Sequence, residues 1–120
     1  MHWTNQAQIS TINRQADLTV TWSSDYNSGH VLIGGTSSYP QAGKTAVFLC
    51  SEEASKGAFI IPSFVLSAMP VALAAGANAS PSRGYLFVAG HPLDNTFAAP
   101  GLDLGFFSEV SLEAKQVPYQ

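Results

Sequence analysis

The chain of 120 residues falls in the size range of one domain and is long enough to bury a core without disulfide or metal staples. Hydrophobic residues make up 46% and charged residues only 11%, less than half of the roughly 25% typical of soluble chains, so Ser, Thr, Asn and Gln must carry the surface. A net charge of −3, with the cations Arg14, Lys44, Lys56, Arg83 and Lys115 scattered along the chain, offers no footprint for a polyphosphate backbone and argues against nucleic acid as a partner.

Met1 is followed by His2 and Trp3, not by a basic segment and an apolar run, so no signal peptide is read here. Residues 1–6 read as a linker or as residues added ahead of a single domain. A first strand is expected over residues 8–12. Residues 17–22 alternate strictly, with Leu18, Val20 and Trp22 on one face and Thr19 and Thr21 on the other, the period of a half-buried strand. Ser23, Ser24, Asp25, Tyr26, Asn27, Ser28 and Gly29 concentrate turn chemistry and predict an exposed loop. A strand over residues 30–33 then meets Gly34 and Gly35, where missing side chains permit a bulge or a bend between sheets.

After a turn over residues 39–43, a strand is expected at 46–50. Its Cys50 is the sole cysteine, so it forms no internal disulfide and reads as a small buried apolar residue. The strand at 57–61 is stopped by Pro62, which has no amide proton for a ladder. Phe64, Val65, Leu66 and Met69 suit one helical turn, with Ser63 as its cap and Pro70 as its stop. The weakly polar stretch 71–79 is too short to span a bilayer, so membrane insertion is not expected. Residues 74–83 predict a low-complexity loop. Residues 84–90 read as a central strand, apolar on both faces, and 96–99 and 102–112 as the last strands around a Pro100-Gly101 turn. In the final strand, Glu109, Val110, Ser111, Leu112 and Glu113 alternate cleanly again. The total is seven to nine short strands and one short helical turn, an all-β antiparallel sandwich.

The order of Leu18-Thr19-Val20-Thr21-Trp22, Gly29-His30-Val31-Leu32-Ile33-Gly34-Gly35, Phe48-Leu49-Cys50, Ala58-Phe59-Ile60-Ile61-Pro62-Ser63-Phe64-Val65-Leu66 and Leu102-Asp103-Leu104-Gly105 resembles a family of bacterial Ig-like β-sandwich domains. These domains stand, often C-terminally, in large secreted or surface proteins of mostly unknown function. The resemblance covers residues 15 to 120 and implies an Ig-like, non-catalytic module at the cell surface or outside it, working beside other domains of its parent protein. It carries over no functional residue.

The residues themselves converge on no chemistry. There is no Gly-x-Ser-x-Gly elbow, and Glu52 and Glu53, being adjacent in an extended segment, point to opposite faces. His2, His30 and His91 lack metal-ligand spacing, and Asx turns account for Asp25 with Asn27 and for Asp94 with Asn95. The expectation is a non-enzymatic module without cofactor or metal, whose partner is a protein. The alternative is a glycan-binding module that stacks exposed rings on sugars: Tyr26 and Tyr39, with Asp25 and Asn27 reading hydroxyls and Trp3 as a further ring. A loop tyrosine otherwise serves as a lid over the end of the core. Trp22 is excluded as a ligand platform, because its phase with Leu18 and Val20 sends it inward.

Overall fold

Two antiparallel sheets share one core in a computed structural model that describes residues 1–25, 28–73, 83–92 and 95–120. The smaller sheet has the order β1-β2-β5, from β1 (His2–Trp3), β2 (Leu18–Ser23) and β5 (Ala58–Ile61). The larger has the order β4-β3-β6-β9, from β3 (His30–Tyr39), β4 (Lys44–Glu53), β6 (Arg83–His91) and β9 (Ser111–Gln116). A separate ribbon pairs β7 (Asn95–Phe97) with β8 (Gly105–Phe107). The fold is all-β and sandwich-like, as the alternating runs require.

The core takes Trp3, Val20, Trp22 and Ile61 from the small sheet and Val31, Ile33, Phe48, Leu86 and Val88 from the large one. Trp22 is buried as its phase predicts, and its Nε1–H donates to the carbonyl of Ala54 at 2.9 Å. β6 pairs with β3 on one side and β9 on the other, the central position its apolar composition suits. The turn after Tyr39 is a short 3-10 segment, Pro40–Ala42, ended by Gly43 at φ 63. It closes the β3–β4 hairpin.

Several expectations are corrected. The first six residues are part of the fold and no linker: β1 pairs with β2, and Trp3 is only 1% exposed. Asn5 extends that pairing with its side chain, accepting from the Thr21 amide at 3.0 Å and donating to the Thr19 carbonyl at 2.9 Å. Residues 8–12 form no strand; they follow a 3-10 turn (Gln6–Gln8), and Ile12 makes a single parallel bridge to Tyr119. β3 runs without a bulge through Gly34 and Gly35, because these glycines make room for rings. Phe87 lies over Gly34, while Phe48 and Tyr119 lie over Gly35. Helix α1 (Ser63–Ser67) is where expected, but its N-cap is Pro62, and the Ser63 amide is held by Asp17 Oδ1 at 2.7 Å. Ser63 is therefore not the cap. Cys50 is half-buried, and desolvation raises its pKa above the ordinary thiol value. The expected loop at 74–83 lies, except for Arg83, outside the described residues.

Residues 117–119 reach into the core, with Val117 and Tyr119 buried. The Ile12 amide donates to the Pro118 carbonyl, the Gln120 amide to the Ile12 carbonyl, and the Tyr119 and Ala72 amides to each other's carbonyls, all within 3.0 Å. Tyr119 is fully buried, and its hydroxyl donates to the Tyr85 carbonyl at 2.9 Å. The tail thus sews the N-terminal segment and the segment after α1 to the large sheet.

Candidate interaction surface

The β3–β4, β3–β6 and β6–β9 registers fix which side chains share the outer face of the large sheet. Successive rows across it are Ser51-Leu32-Ala89-Leu112, Leu49-Gly34-Phe87-Ala114 and Val47-Thr36-Tyr85-Gln116. No charged residue stands in these rows. Charge appears only at the two ends, with Glu53, His30 and His91 in one row and Arg83 at the other. Val47, Leu49 and Leu112 are each more than 60% exposed. The exposed apolar side chains stand mainly on the two outer strands, Val47 and Leu49 on β4 and Leu112 on β9, while Gly34 and Ala89 between them are buried.

β9 explains part of this face by its inverted polarity. In the alternation at 109–113, Val110 and Leu112 point to solvent, and the polar phase Ser111, Glu113 and Lys115 points inward. The reason is local hydrogen bonding. Glu113 Oε1 accepts the Trp3 amide at 2.9 Å and lies 3.1 Å from His2 Nδ1, and Lys115 Nζ donates to the Gln6 carbonyl at 2.8 Å. The N-terminal segment has backbone groups without ladder partners, and β9 supplies them with side chains.

The outward phase continues beyond the sheet. Leu102, Leu104, Phe106, Val110, Leu112 and Ala114 recur at the strand period, interrupted only by Ser108. The five large residues among them are 55 to 70% exposed. Ser108 Oγ lies 3.0 Å from Nε2 of His91, whose phase in β6 is that of Phe87 and Ala89; around β8 the segment is open on both sides, with Asp103, Phe107 and Glu109 exposed as well. In chain order the β7–β8 ribbon falls between β6 and β9, and it makes no extended contact with either sheet among the described residues. Its tip is a turn in which the Leu102 amide donates to the Ala99 carbonyl at 3.1 Å, with Pro100 and Gly101 at the centre. Gly101 has φ 84, the left-handed value the third position of a type II turn requires. The molecule measures 58 × 29 × 24 Å, and its radius of gyration of 17.2 Å exceeds the roughly 14 Å of a compact chain this long.

Of the residues proposed for sugar binding, the two that are described, Asp25 and Tyr39, lie apart. Asp25 is exposed ahead of β3, whereas Tyr39 is half-buried at the other end of that ten-residue strand, roughly 30 Å away. Tyr26 and Asn27 lie outside the described residues. Trp3 is core, which corrects its expectation as an exposed ring. Asp25 lines a shallow cleft with Met1, Pro92, Glu109 and Ser111. Among the described residues no three His, Cys, Asp or Glu side chains meet as a metal site, and no helix is long and apolar enough to cross a membrane.

The apolar stripe was legible as alternation from Leu102 to Ala114, but alternation alone does not say which phase faces out. Comparison with family models, with curated proteins and with solved structures returned no match.

Proposed function

We propose that this chain is a non-catalytic structural and interaction module, an Ig-like sandwich that belongs to a larger exported bacterial protein. The observation that carries the interaction reading is the exposed stripe Leu102, Leu104, Phe106, Val110 and Leu112, which joins the projecting ribbon to the sheet face. Exposed apolar side chains in that number are what a protein partner covers. Export, a bacterial origin and the Ig-like class rest on the sequence resemblance, which points to a surface or extracellular setting beside other domains of the same parent.

The test is site-specific photo-crosslinking in cells that make the protein natively. A photoreactive residue at 104, 106 or 112 is expected to give discrete protein adducts, and one at 113, in the inward phase of β9, to give few. Adducts spread evenly over both phases, or none, would refute the reading.

A further inference from the structure

We infer that two copies of this chain join through the open edge of β4, which pairs antiparallel with its own counterpart about a twofold axis at Phe48 and so fuses the two four-stranded sheets into one. The edge shares no residue with the stripe at 102–112, and the inference goes beyond the interaction reading.

Backbone geometry leaves this edge open. β4 has ten residues, and among the described residues it is laddered to β3 alone. In an antiparallel ladder the backbone groups of successive residues point to opposite sides of the strand. The Ala54 amide donates to the Gly29 carbonyl in continuation of the β3–β4 register, so the even-numbered residues of β4 bond to β3 and the odd-numbered ones face the edge. The Glu53 amide agrees with this phase, since it donates to a side-chain oxygen, Glu52 Oε1, at 2.9 Å. Thr45, Val47, Leu49 and Ser51 therefore carry their amides and carbonyls at the edge, with no charge, proline or bulge between them. An edge strand of that length without such guards is a template for another strand.

The match of β4 with its own reverse selects a second copy as that strand. Directly opposed residues of antiparallel strands share a face, so a twofold pairing sets odd against odd and even against even. With Phe48 on the axis, Val47 stands opposite Leu49 of the other copy, Thr45 opposite Ser51, Ala46 opposite Cys50 and Lys44 opposite Glu52. Apolar meets apolar, hydroxyl meets hydroxyl and cation meets anion, each of them twice. An axis one residue away, at Val47 or at Leu49, sets Lys44 opposite Cys50 or Ala54 and loses both charge pairs.

The surface beside the start of β4 suits the same register. Lys44 and Arg14 both line an open cleft there, together with Gly43, Ser67 and Met69. Arg14 Nε is buried without a hydrogen-bond partner among the described residues. Glu52 of the second copy brings a carboxylate to a cleft lined by two cations. Exposed ion pairs add little affinity, so their effect is to fix the register of an edge whose backbone bonds are alike at every step.

Sedimentation velocity on the full chain from about 1 µM to about 1 mM is expected to show mass rising from one copy to two. Disulfide capture under a mild oxidant reads the register. Ala46→Cys is expected to link to Cys50 of the other copy, because opposed residues without mutual backbone bonds stand about 4.5 Å apart at Cα, within disulfide reach. The unmodified chain is expected to give no link, since its two Cys50 residues fall four positions apart. Leu49→Pro removes an amide at the edge and none from the β3 ladder, and is expected to abolish the dimer. Lys44→Glu is expected to weaken it on the order of tenfold, and Lys44→Glu combined with Glu52→Lys to restore it. Far-UV circular dichroism identifies any variant that loses its β signature; should Leu49→Pro do so, the charge exchange and the disulfide capture decide. A single-copy mass at every concentration would overturn the proposal, as would a Cys50 to Cys50 link in the unmodified chain, no link in Ala46→Cys, or failure of the charge exchange to rescue. None of these results bears on the photo-crosslinks from residues 104, 106 and 112, which test the interaction reading separately.

Discussion

Tyr119 shows how one residue ties remote parts of the chain together. Its ring fills the space left by Gly35 and Gly84, and its hydroxyl is spent on the Tyr85 carbonyl. Burial pushes its pKa above the ordinary tyrosine value, because the charged phenolate has no water to solvate it. Below about pH 10, the ordinary tyrosine range, folded and unfolded chains both keep this proton. Above it the unfolded chain loses the proton first, so stability falls as pH rises. Urea midpoints measured across that range are expected to fall less steeply in Tyr119→Phe, by up to about 1.4 kcal/mol per pH unit. At neutral pH, Tyr119→Phe is expected to cost about 1 kcal/mol for the lost hydrogen bond, and Tyr119→Ala about 3–5 kcal/mol for the cavity. Gly35→Ala places a methyl group against Phe48 and the Tyr119 hydroxyl, and is expected to cost about 1–3 kcal/mol by overpacking.

At the scale of elements, β9 is the informative strand. An edge strand ordinarily sends its apolar phase to the core and its polar phase to water, and β9 does the reverse. Its polar phase is occupied with the N-terminal segment through Glu113 and Lys115. Glu113→Ala removes the acceptor of the Trp3 amide. It is expected to destabilise the fold by about 1–3 kcal/mol and to speed hydrogen exchange at that amide, while exchange in the β3–β4 ladder stays slow. Equal acceleration at both places would mean that Glu113 acts on the whole sandwich and not on the β1 junction. The same inversion leaves Leu112 and Ala114 outward, so hydrogen bonds to the N-terminal segment, more than a hundred residues away in sequence, put the apolar phase of β9 on the exposed face.

At the scale of the molecule, a sandwich body is closed by its own C-terminal tail and extended by one hairpin. Residues 117–120 bridge the Ile12 and Ala72 segments and bury Val117 and Tyr119. Their deletion is expected to lower stability by more than about 3 kcal/mol, since it opens a cavity and orphans backbone groups together. Thermal melting followed by circular dichroism checks this. Removal of residues 95–107, replaced by a short turn, is expected to leave the melting temperature of the body nearly unchanged, because the ribbon makes no extended contact with either sheet among the described residues. A large drop in melting temperature would show that the ribbon supports the body.

Much of the fold was readable because it depends on local period and on punctuation. Alternation at Leu18, Val20 and Trp22 sends Trp22 inward; Pro62 stops β5; and Pro100-Gly101 turns the last hairpin, each for a reason that acts within a few residues. The tertiary structure alone decided matters that depend on partners far along the chain. Trp3 is core and no free ring because β2 and Glu113, remote in sequence, receive its backbone. Gly34 and Gly35 leave the strand straight because Phe87, Phe48 and Tyr119 fill the spaces above them. The stripe from Leu102 to Ala114 is visible as a period in the sequence, but period is symmetric between the two faces of a strand. Which phase meets water is decided by what packs on the other side, and here that is the N-terminal segment, more than a hundred residues away.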